Sequence, residues 1–211
     1  CILSLLVSLL KMSSGLRILA LHGSGSHGAR FSQQTKCFQE ALEEIAPQAK
    51  YTFLDGPFSK DTGFSWWKMK EGERSSNAKE LIGLDKSLRL IEEPNESYDI
   101  IIGHSQGAMM AAIVLARGVM KTPKLAILTG SSYPESQHEL FSKASGLIGG
   151  LRSIHCIGRA DEINPPDLAR KLASSFNIEG NAEVIDHGGG HIFPQDEASL
   201  GIMMHTISTL H

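Results

Sequence analysis

A serine stands where a short apolar run meets a helix-like pattern. Residues 99–103 read Asp-Ile-Ile-Ile-Gly, and His-Ser-Gln-Gly and a series of small apolar residues follow. This order predicts a strand, a sharp turn and a helix, with Ser105 at the apex. Strained backbone geometry at such a nucleophile elbow projects the serine hydroxyl above the edge of the sheet. Ser105 is therefore the candidate nucleophile; the alternative is a glycine-rich β–α turn with an incidental serine.

The residues around this serine have physical reasons to be small. Gly103 and Gly107 flank Ser105, and a bulky side chain at either position would collide where the strand and the helix approach each other. Ser105 also lies at the N-terminus of the predicted helix. Unpaired N–H groups and the helix dipole there favour negative charge that develops during a reaction.

A serine hydroxyl needs a base to remove its proton, and the base needs an acid to orient it. Asp161 follows a predicted strand at residues 153–157, and His191 lies in a glycine-rich loop after a predicted strand at residues 182–185. The order serine, acid, histidine is that of α/β-hydrolases. The sequence thus predicts Ser105, Asp161 and His191 as a catalytic triad.

Neighbouring residues compete for two of these roles. Glu162 is adjacent to Asp161 and stays open as the acid, whereas Asp167 fits the first turn of the next helix, where a carboxylate is favoured. His187 directly ends the last strand, so it has a shorter reach than His191. We favour Asp161 and His191.

The tetrahedral intermediate of acyl transfer needs N–H donors aimed at its oxyanion. The expected donors are the backbone N–H of Gln106, directly after the nucleophile, and that of Ser24 in the loop after the first strand. A phosphate-binding loop is the alternative for residues 22–28. They contain neither Gly-x-Gly-x-x-Gly nor Gly-Lys-Ser/Thr, which argues against it.

Apolar strand-like runs alternate with helical patterns along the chain. The predicted strands are residues 16–21, 51–55, 99–103, 125–128, 153–157 and 182–185, and the predicted helices are residues 35–45, 81–93, 106–118, 166–176 and 199–210. This alternation predicts an α/β protein, a three-layer α/β/α sandwich with a mostly parallel sheet of about six strands.

Two stretches fit no element of this sandwich. Residues 56–79 contain Phe64, Trp66 and Trp67, and residues 131–150 contain two further aromatic side chains. Both stretches follow strand ends, where α/β sheets place their binding crevice. Phe64, Trp66 and Trp67 either line a pocket for an apolar acyl group or pack on the body of the domain.

Composition limits the classes of partner. The 211 residues carry 20 basic and 23 acidic side chains, a net charge of −3, with no basic run. This argues against a nucleic-acid surface or a polybasic membrane patch. No segment after residue 11 is apolar over the length that a membrane span needs, so we expect no stable membrane insertion. The three cysteines show no zinc-ligand spacing, and the predicted chemistry needs no metal or organic cofactor.

The first residues are apolar but too few to span a bilayer. We expect residues 1–11 to be an extension outside the fold and residues 12–211 to form one domain in the cytoplasm. A remnant of a signal peptide is the alternative for residues 1–11, and would imply a secreted or organellar protein.

Several motifs, in this order, resemble the FSH-type serine hydrolases, small eukaryotic α/β-hydrolases that include ovarian-tumour-associated hydrolases and fungal thioesterase-like enzymes. The motifs are Leu21-His22-Gly23, Phe53-Leu54-Asp55-Gly56-Pro57, Trp66-Trp67, Gly83-Leu84-Asp85-Lys86-Ser87-Leu88, Gly103-His104-Ser105-Gln106-Gly107-Ala108, Asp161-Glu162-Ile163-Asn164-Pro165 and Gly189-Gly190-His191-Ile192-Phe193-Pro194. The resemblance implies that Ser105, Asp161 and His191 hydrolyse a carboxyl ester or thioester. Family members usually have an aromatic residue where this chain has His104, and Gln-Asn where it has Ser26-His27.

The sequence thus predicts a serine hydrolase that acts on a small-molecule acyl ester or thioester through an acyl-enzyme intermediate. Two alternatives stay open: an acyltransferase with the same triad, and a non-catalytic receptor that uses the hydrolase pocket. The sequence does not determine the oligomeric state.

Overall fold

A computed structural model describes residues 15–144, 148–177 and 180–210. The predicted N-terminal extension, residues 1–11, lies outside these ranges. The strands are β1 (Arg17–Leu21), β2 (Lys50–Leu54), β3 (Phe58–Lys60), β4 (Gly63–Ser65), β5 (Ile100–His104), β6 (Leu125–Thr129), β7 (Arg152–Gly158) and β8 (Ala182–His187). The helices are α1 (Gly28–Gln34), α2 (Lys36–Ile45), α3 (Leu84–Glu92), α4 (Gln106–Arg117), α5 (His138–Lys143), α6 (Pro166–Phe176) and α7 (Glu197–Ser208), and a 3₁₀ turn spans Glu135–Gln137.

Six strands form one parallel sheet in the order β2-β1-β5-β6-β7-β8. The predicted three-layer α/β class is confirmed, and each of the six strands forms where the apolar runs predict it. Because all six strands run in the same direction, their carboxyl ends and the loops that follow lie along one edge of the sheet. This is the edge at which open α/β sheets bind their ligands.

Both faces of the sheet are buried, as the continuous apolar runs of its strands require. On β1, Leu19 and Leu21 pack into the core on one face, whereas Ile18 and Ala20 pack into the core on the other. Helices α3, α4 and α6 contribute side chains to the first core, and α1, α2 and α7 contribute to the second. Within the described ranges no helix is long and apolar enough to cross a membrane.

Residues 56–79, the first of the two stretches that fit no element of the predicted sandwich, contain a small hairpin. Strands β3 and β4 pair antiparallel and form their own two-stranded sheet. The hairpin is joined to the loop after β1, because Gly25 N–H donates to Phe64 O (2.8 Å) and Phe64 N–H donates to Ser26 O (2.7 Å). Strands of three residues are too short for a periodic sequence signal, which is why the pattern did not predict them.

Candidate active site

Ser105 occupies a strained turn between β5 and α4. Its φ of 54° and ψ of −122° are unusual for a residue with a side chain, and such a conformation costs of order 1–3 kcal/mol. Hydrogen bonds on both sides hold it: Ser105 N–H donates to Thr129 O (2.9 Å), and Ser105 O accepts from Ala108 N–H (3.0 Å). The surrounding structure therefore maintains the strain at the serine predicted to be the nucleophile.

Small residues allow this turn to form. A Cβ atom on Gly103 would lie 2.5 Å from Ala108 Cα, and one on Gly107 would lie 2.1 Å from Leu21 O. Neither position tolerates a side chain unless the backbone moves. Strand β1 and helix α4 can approach each other because residue 107 is glycine.

A chain of hydrogen bonds connects Ser105 to two residues from distant loops. Ser105 Oγ lies 2.8 Å from Nε2 of His191, and Nδ1 of His191 lies 2.7 Å from Oδ2 of Asp161. Asp161 follows β7 and His191 follows β8, so both side chains reach the serine from the carboxyl edge of the sheet. The side chains of His191 and Asp161 are 14% and 2% exposed, respectively. Bulk water therefore has little access to the Asp161 carboxylate.

The backbone fixes the orientation of the Asp161 carboxylate. Its Oδ1 accepts hydrogen bonds from Ile163 N–H (2.9 Å) and Asn164 N–H (2.8 Å), which leaves Oδ2 for His191. Asn164 in turn donates from Nδ2 to Gly130 O at 2.7 Å. The loop after β7 is thereby tied to the loop after β6.

The other candidates for the acid and the base do not contact Ser105 or His191 through the hydrogen bonds of the described residues. The side chain of Glu162 points to solvent, and Asp167 stands in the first turn of α6. His187 is buried at the end of β8, and its Nδ1 accepts a hydrogen bond from Gly189 N–H (3.2 Å). Of these candidates, the structure brings His191 and Asp161 against Ser105.

A second histidine lies beneath the elbow. Thr129 Oγ1 donates to Gly103 O (3.2 Å) and accepts from Nδ1 of His104 (2.9 Å). The ring of His104 lies 5.0 Å from that of His191, centre to centre. Burial, helped by the repulsion of His191, lowers the pKa of His104 to about 3. His104 is thus a neutral neighbour of His191 near pH 7.

The two predicted oxyanion donors have free N–H groups. In the described part of the chain, neither Ser24 N–H nor Gln106 N–H donates to a protein acceptor. Gln106 is the first residue of α4, where helix geometry leaves the N–H unpaired. The loop that carries Ser24 lies against the nucleophile, because a Cβ on Gly23 would be 3.1 Å from Ser105 Cβ.

His22 holds the Ser24 loop in place. Its Nδ1–H donates to Gly23 O (2.7 Å), and its Nε2 accepts from Gly56 N–H (3.0 Å). These two bonds require the neutral ring, and burial lowers the pKa of His22 accordingly. His22 belongs to the motif Leu21-His22-Gly23 that contributes to the family resemblance. The sequence did not show that its ring positions this loop.

The side chains of Gln106 and Trp66 make positioning contacts that the sequence did not predict. The side chain of Gln106 accepts from Trp66 N–H through Oε1 (2.9 Å) and donates to Trp67 O through Nε2 (3.3 Å). The indole Nε1–H of Trp66 donates to His22 O (2.8 Å). Trp66 thus connects the elbow to the loop after β1.

The burial of Trp66 and Trp67 favours the alternative that they pack on the body of the domain, and their contact with substrate stays untested. Trp66 is 0% exposed and Trp67 is 1% exposed, and both rings belong to the core that includes α4. Packing on the domain body describes their placement. Phe64 is half-buried on β4, and its contact with substrate stays a prediction.

Within the described ranges, no group of three or more His, Cys, Asp or Glu side chains could hold a metal ion. The polar groups at the site are instead a serine hydroxyl, an imidazole, a carboxylate and backbone N–H groups. These are the groups that acyl transfer requires.

A family model described as serine hydrolase (FSH1) matches residues 12–201. The chain belongs to this family. Curated relatives of this serine hydrolase include an esterase of Caenorhabditis elegans, C25G4.2, which is 29% identical over 197 residues and covers 85% of this chain and 86% of its own length. Esterase OVCA2 of Danio rerio is 26% identical over 213 residues and covers 85% and 90%, respectively. The resemblance to ovarian-tumour-associated hydrolases is thereby confirmed.

Solved structures agree with the fold of the serine hydrolase. Esterase PE8 superposes with a TM-score of 0.72 at 16% identity and covers 96% of this chain and 95% of its own. Acyl-protein thioesterase 2 of Zea mays gives a TM-score of 0.67 at 19% identity, with 94% and 95% covered. At these identities the likeness shows a shared α/β-hydrolase fold.

Proposed function

We propose that this serine hydrolase cleaves carboxylic esters or thioesters of small molecules through a covalent acyl-enzyme intermediate. The observation that carries the proposal is the continuous hydrogen-bonded chain Ser105 Oγ, His191 Nε2, His191 Nδ1 and Asp161 Oδ2, with distances of 2.8 and 2.7 Å. The curated relatives in this family are esterases. The three hydrogen-bonded side chains supply the nucleophile, the base and the orienting acid that ester cleavage needs.

In the first step Ser105 Oγ attacks the acyl carbon. His191 Nε2 takes the hydroxyl proton, and the Asp161 carboxylate stabilises the imidazolium through the bond at Nδ1. The carbonyl oxygen becomes an oxyanion and accepts from the N–H groups of Ser24 and Gln106. Collapse of this intermediate breaks the bond to the alcohol or thiol, which leaves with the proton from His191.

Water completes the second step. It attacks the acyl carbon of the Ser105 ester while His191 Nε2 takes one of its protons. The second tetrahedral intermediate collapses, the carboxylic acid leaves, and His191 returns the proton to Ser105 Oγ. Each group that moves a proton or stabilises charge in these steps comes from the chain itself.

Labelling with a fluorophosphonate probe tests the nucleophile. We expect the wild-type protein to be labelled and Ser105→Ala to lose both labelling and ester turnover. Ser142→Ala is the matched control, because this serine is exposed on α5 and its hydroxyl donates to His138 O within its own helix. Undiminished labelling of Ser105→Ala would remove Ser105 from the mechanism.

Substrate series separate the remaining possibilities. Esters of 4-nitrophenol with graded acyl length, and the corresponding acyl thioesters, compare the two leaving groups. An added alcohol or amine that accelerates acyl loss and appears in the product would indicate an acyltransferase. A folded protein that binds these esters without turnover or labelling would be a receptor. The cytoplasmic location and the single domain over residues 12–211 remain part of this proposal.

A further inference from the structure

A groove beside the hairpin of β3 and β4 is lined by three lysines. Its volume is about 360 Å³, and the charged residues that line it are Lys60, Lys68, Lys70 and Glu73. With one acidic side chain against three basic ones, the lining carries a net charge of +2 near pH 7. The whole chain carries −3, so this lysine groove is a positive surface on a net negative protein.

Among the described residues, the three ammonium groups are not neutralised by nearby carboxylates, and Lys68 Nζ lies over the Phe58 ring, 5.3 Å from its centre. Within the described ranges, none of the three lysines forms a salt bridge with a carboxylate. The Glu73 carboxylate accepts from the backbone N–H groups of Lys70 (3.2 Å) and Lys79 (3.5 Å) rather than from an ammonium. The lysines therefore lack the local partners that would neutralise them.

The other polar groups of the groove also favour an acceptor. Ser59 and Ser65 add hydroxyl groups, which can donate or accept. A lining of ammonium and hydroxyl donors matches a group rich in acceptor oxygens, such as a carboxylate or a phosphate.

Lys60 connects this groove to the proposed oxyanion donors. Its Nζ donates to Ser24 Oγ at 2.8 Å. Ser24 Oγ is three bonds from the backbone nitrogen of the same residue, so covalent geometry places the Lys60 ammonium within about 7 Å of the Ser24 N–H. A substrate whose carbonyl oxygen meets that N–H can reach Lys60 with an anion only a few bonds away.

We propose that the lysine groove binds an anionic group of the substrate and that Lys60 selects esters which carry this group near the scissile carbonyl. This inference rests on the proposed ester hydrolysis and deepens it. The anion belongs either to the acyl part, as in a half-ester of a short dicarboxylic acid, or to the alcohol part. Both present the same chemistry to the lysines.

Paired substrates distinguish the two sources. For the acyl part, the pair is the mono-4-nitrophenyl ester of glutaric acid and its methyl-capped neutral counterpart. For the alcohol part, the pair is 4-acetoxybenzoate and its methyl ester. In each pair the measured quantity is the ratio of kcat/KM for the anionic substrate to kcat/KM for the neutral one, which cancels general damage to the enzyme.

We expect Lys60→Met to lower this ratio by about 10- to 100-fold for at least one pair, since a hydrogen bond to a charged group contributes that much. Lys60→Arg, which keeps the charge, should restore most of it. A Lys68→Met, Lys70→Met double variant should lower the ratio in the same direction. Lys36→Met is the matched control, because Lys36 is an exposed lysine at the start of α2. In the wild-type enzyme, added salt should lower the ratio because ions screen the lysines.

Equal ratios in the wild-type enzyme and Lys60→Met for both pairs would overturn the assignment of the groove. If fluorophosphonate labelling and turnover of the neutral esters persist in that case, the proposed hydrolysis stands and only the lysine groove fails. Absence of turnover for all four esters together with absence of labelling would overturn both.

Discussion

The indole Nε1–H of Trp66 donates a 2.8 Å hydrogen bond to the backbone carbonyl of His22. The same residue donates its backbone N–H to Oε1 of Gln106, and its carbonyl accepts from the hydroxyl of Ser87 on α3. Trp66 therefore joins the loop that carries one proposed oxyanion donor, Ser24, to the residue that carries the other. A buried aromatic residue outside the proposed triad thus connects the two segments that carry these N–H groups.

Replacement of Trp66 by phenylalanine tests this connection. The variant keeps an aromatic ring but leaves His22 O without its donor, so we expect lower kcat, by about 10-fold, and a loss of about 1–3 kcal/mol in the free energy of unfolding. Trp67→Phe is the matched control, because its Nε1 has no acceptor in the described ranges. Neutral 4-nitrophenyl esters and urea denaturation provide the two measurements. Equal kcat losses in both variants would contradict the role of Trp66.

Asp161→Asn should lower kcat by about 10⁴-fold, as the equivalent change does in a serine protease. The amide oxygen would stay on the N–H groups of Ile163 and Asn164, so the NH₂ group would face His191. That arrangement makes Nδ1 an acceptor and puts the proton on Nε2, which then cannot receive the proton of Ser105. Glu162→Gln is the control, since that side chain is exposed, and its turnover should stay near that of wild type. A large loss of turnover in Glu162→Gln with a small loss in Asp161→Asn would make Glu162, and not Asp161, the acid that orients His191.

Acid should destabilise the protein through its buried histidines. Burial lowers the pKa of His104 and of His155 from 6.5 to about 3, and lowers those of His22 and His187 as well. Between pH 6.5 and about 3 the unfolded chain therefore binds protons that the folded chain does not. The free energy of unfolding falls as the pH falls through this window, by up to about 1.4 kcal/mol per pH unit for each such histidine.

Urea denaturation between pH 7.5 and 4.5 measures that slope. The variant His155→Leu removes one buried histidine on β7, away from the proposed triad, and should flatten the slope by up to about 1.4 kcal/mol per pH unit. A slope identical to that of wild type would show that folding does not lower the pKa of His155.

Two glycine-to-alanine variants should change stability in opposite directions. In Gly107→Ala the new Cβ would lie 2.1 Å from Leu21 O, so β1 and α4 must separate, and we expect a loss of about 1–3 kcal/mol or more. Gly201 lies in α7, and its Cβ would meet no atom within 4 Å. Gly201→Ala should therefore stabilise the protein by up to about 1 kcal/mol. Thermal denaturation of the two variants measures both effects, and a neutral Gly107→Ala would show that the elbow can relax.

Much of the fold could be predicted because its signals are local. The apolar runs that predicted the six strands of the parallel sheet depend on side chains a few residues apart, as does the helical pattern of α4. The hairpin of β3 and β4 could not be predicted in this way. Its three-residue strands form because Phe64 pairs with the backbone of the loop after β1, almost 40 residues away.

The sequence by itself indicated the elbow at Ser105 and the order of serine, acid and histidine, because these follow from neighbouring residues and from the sequence of strands. It left Asp161 open against Glu162, and the tryptophans open between pocket and core. Tertiary contacts brought Asp161 to His191 across 30 residues and buried Trp66 against His22 across 44. They also placed Lys60 on Ser24. Such pairings depend on how distant loops meet at one edge of the sheet, and no periodicity along the chain encodes them.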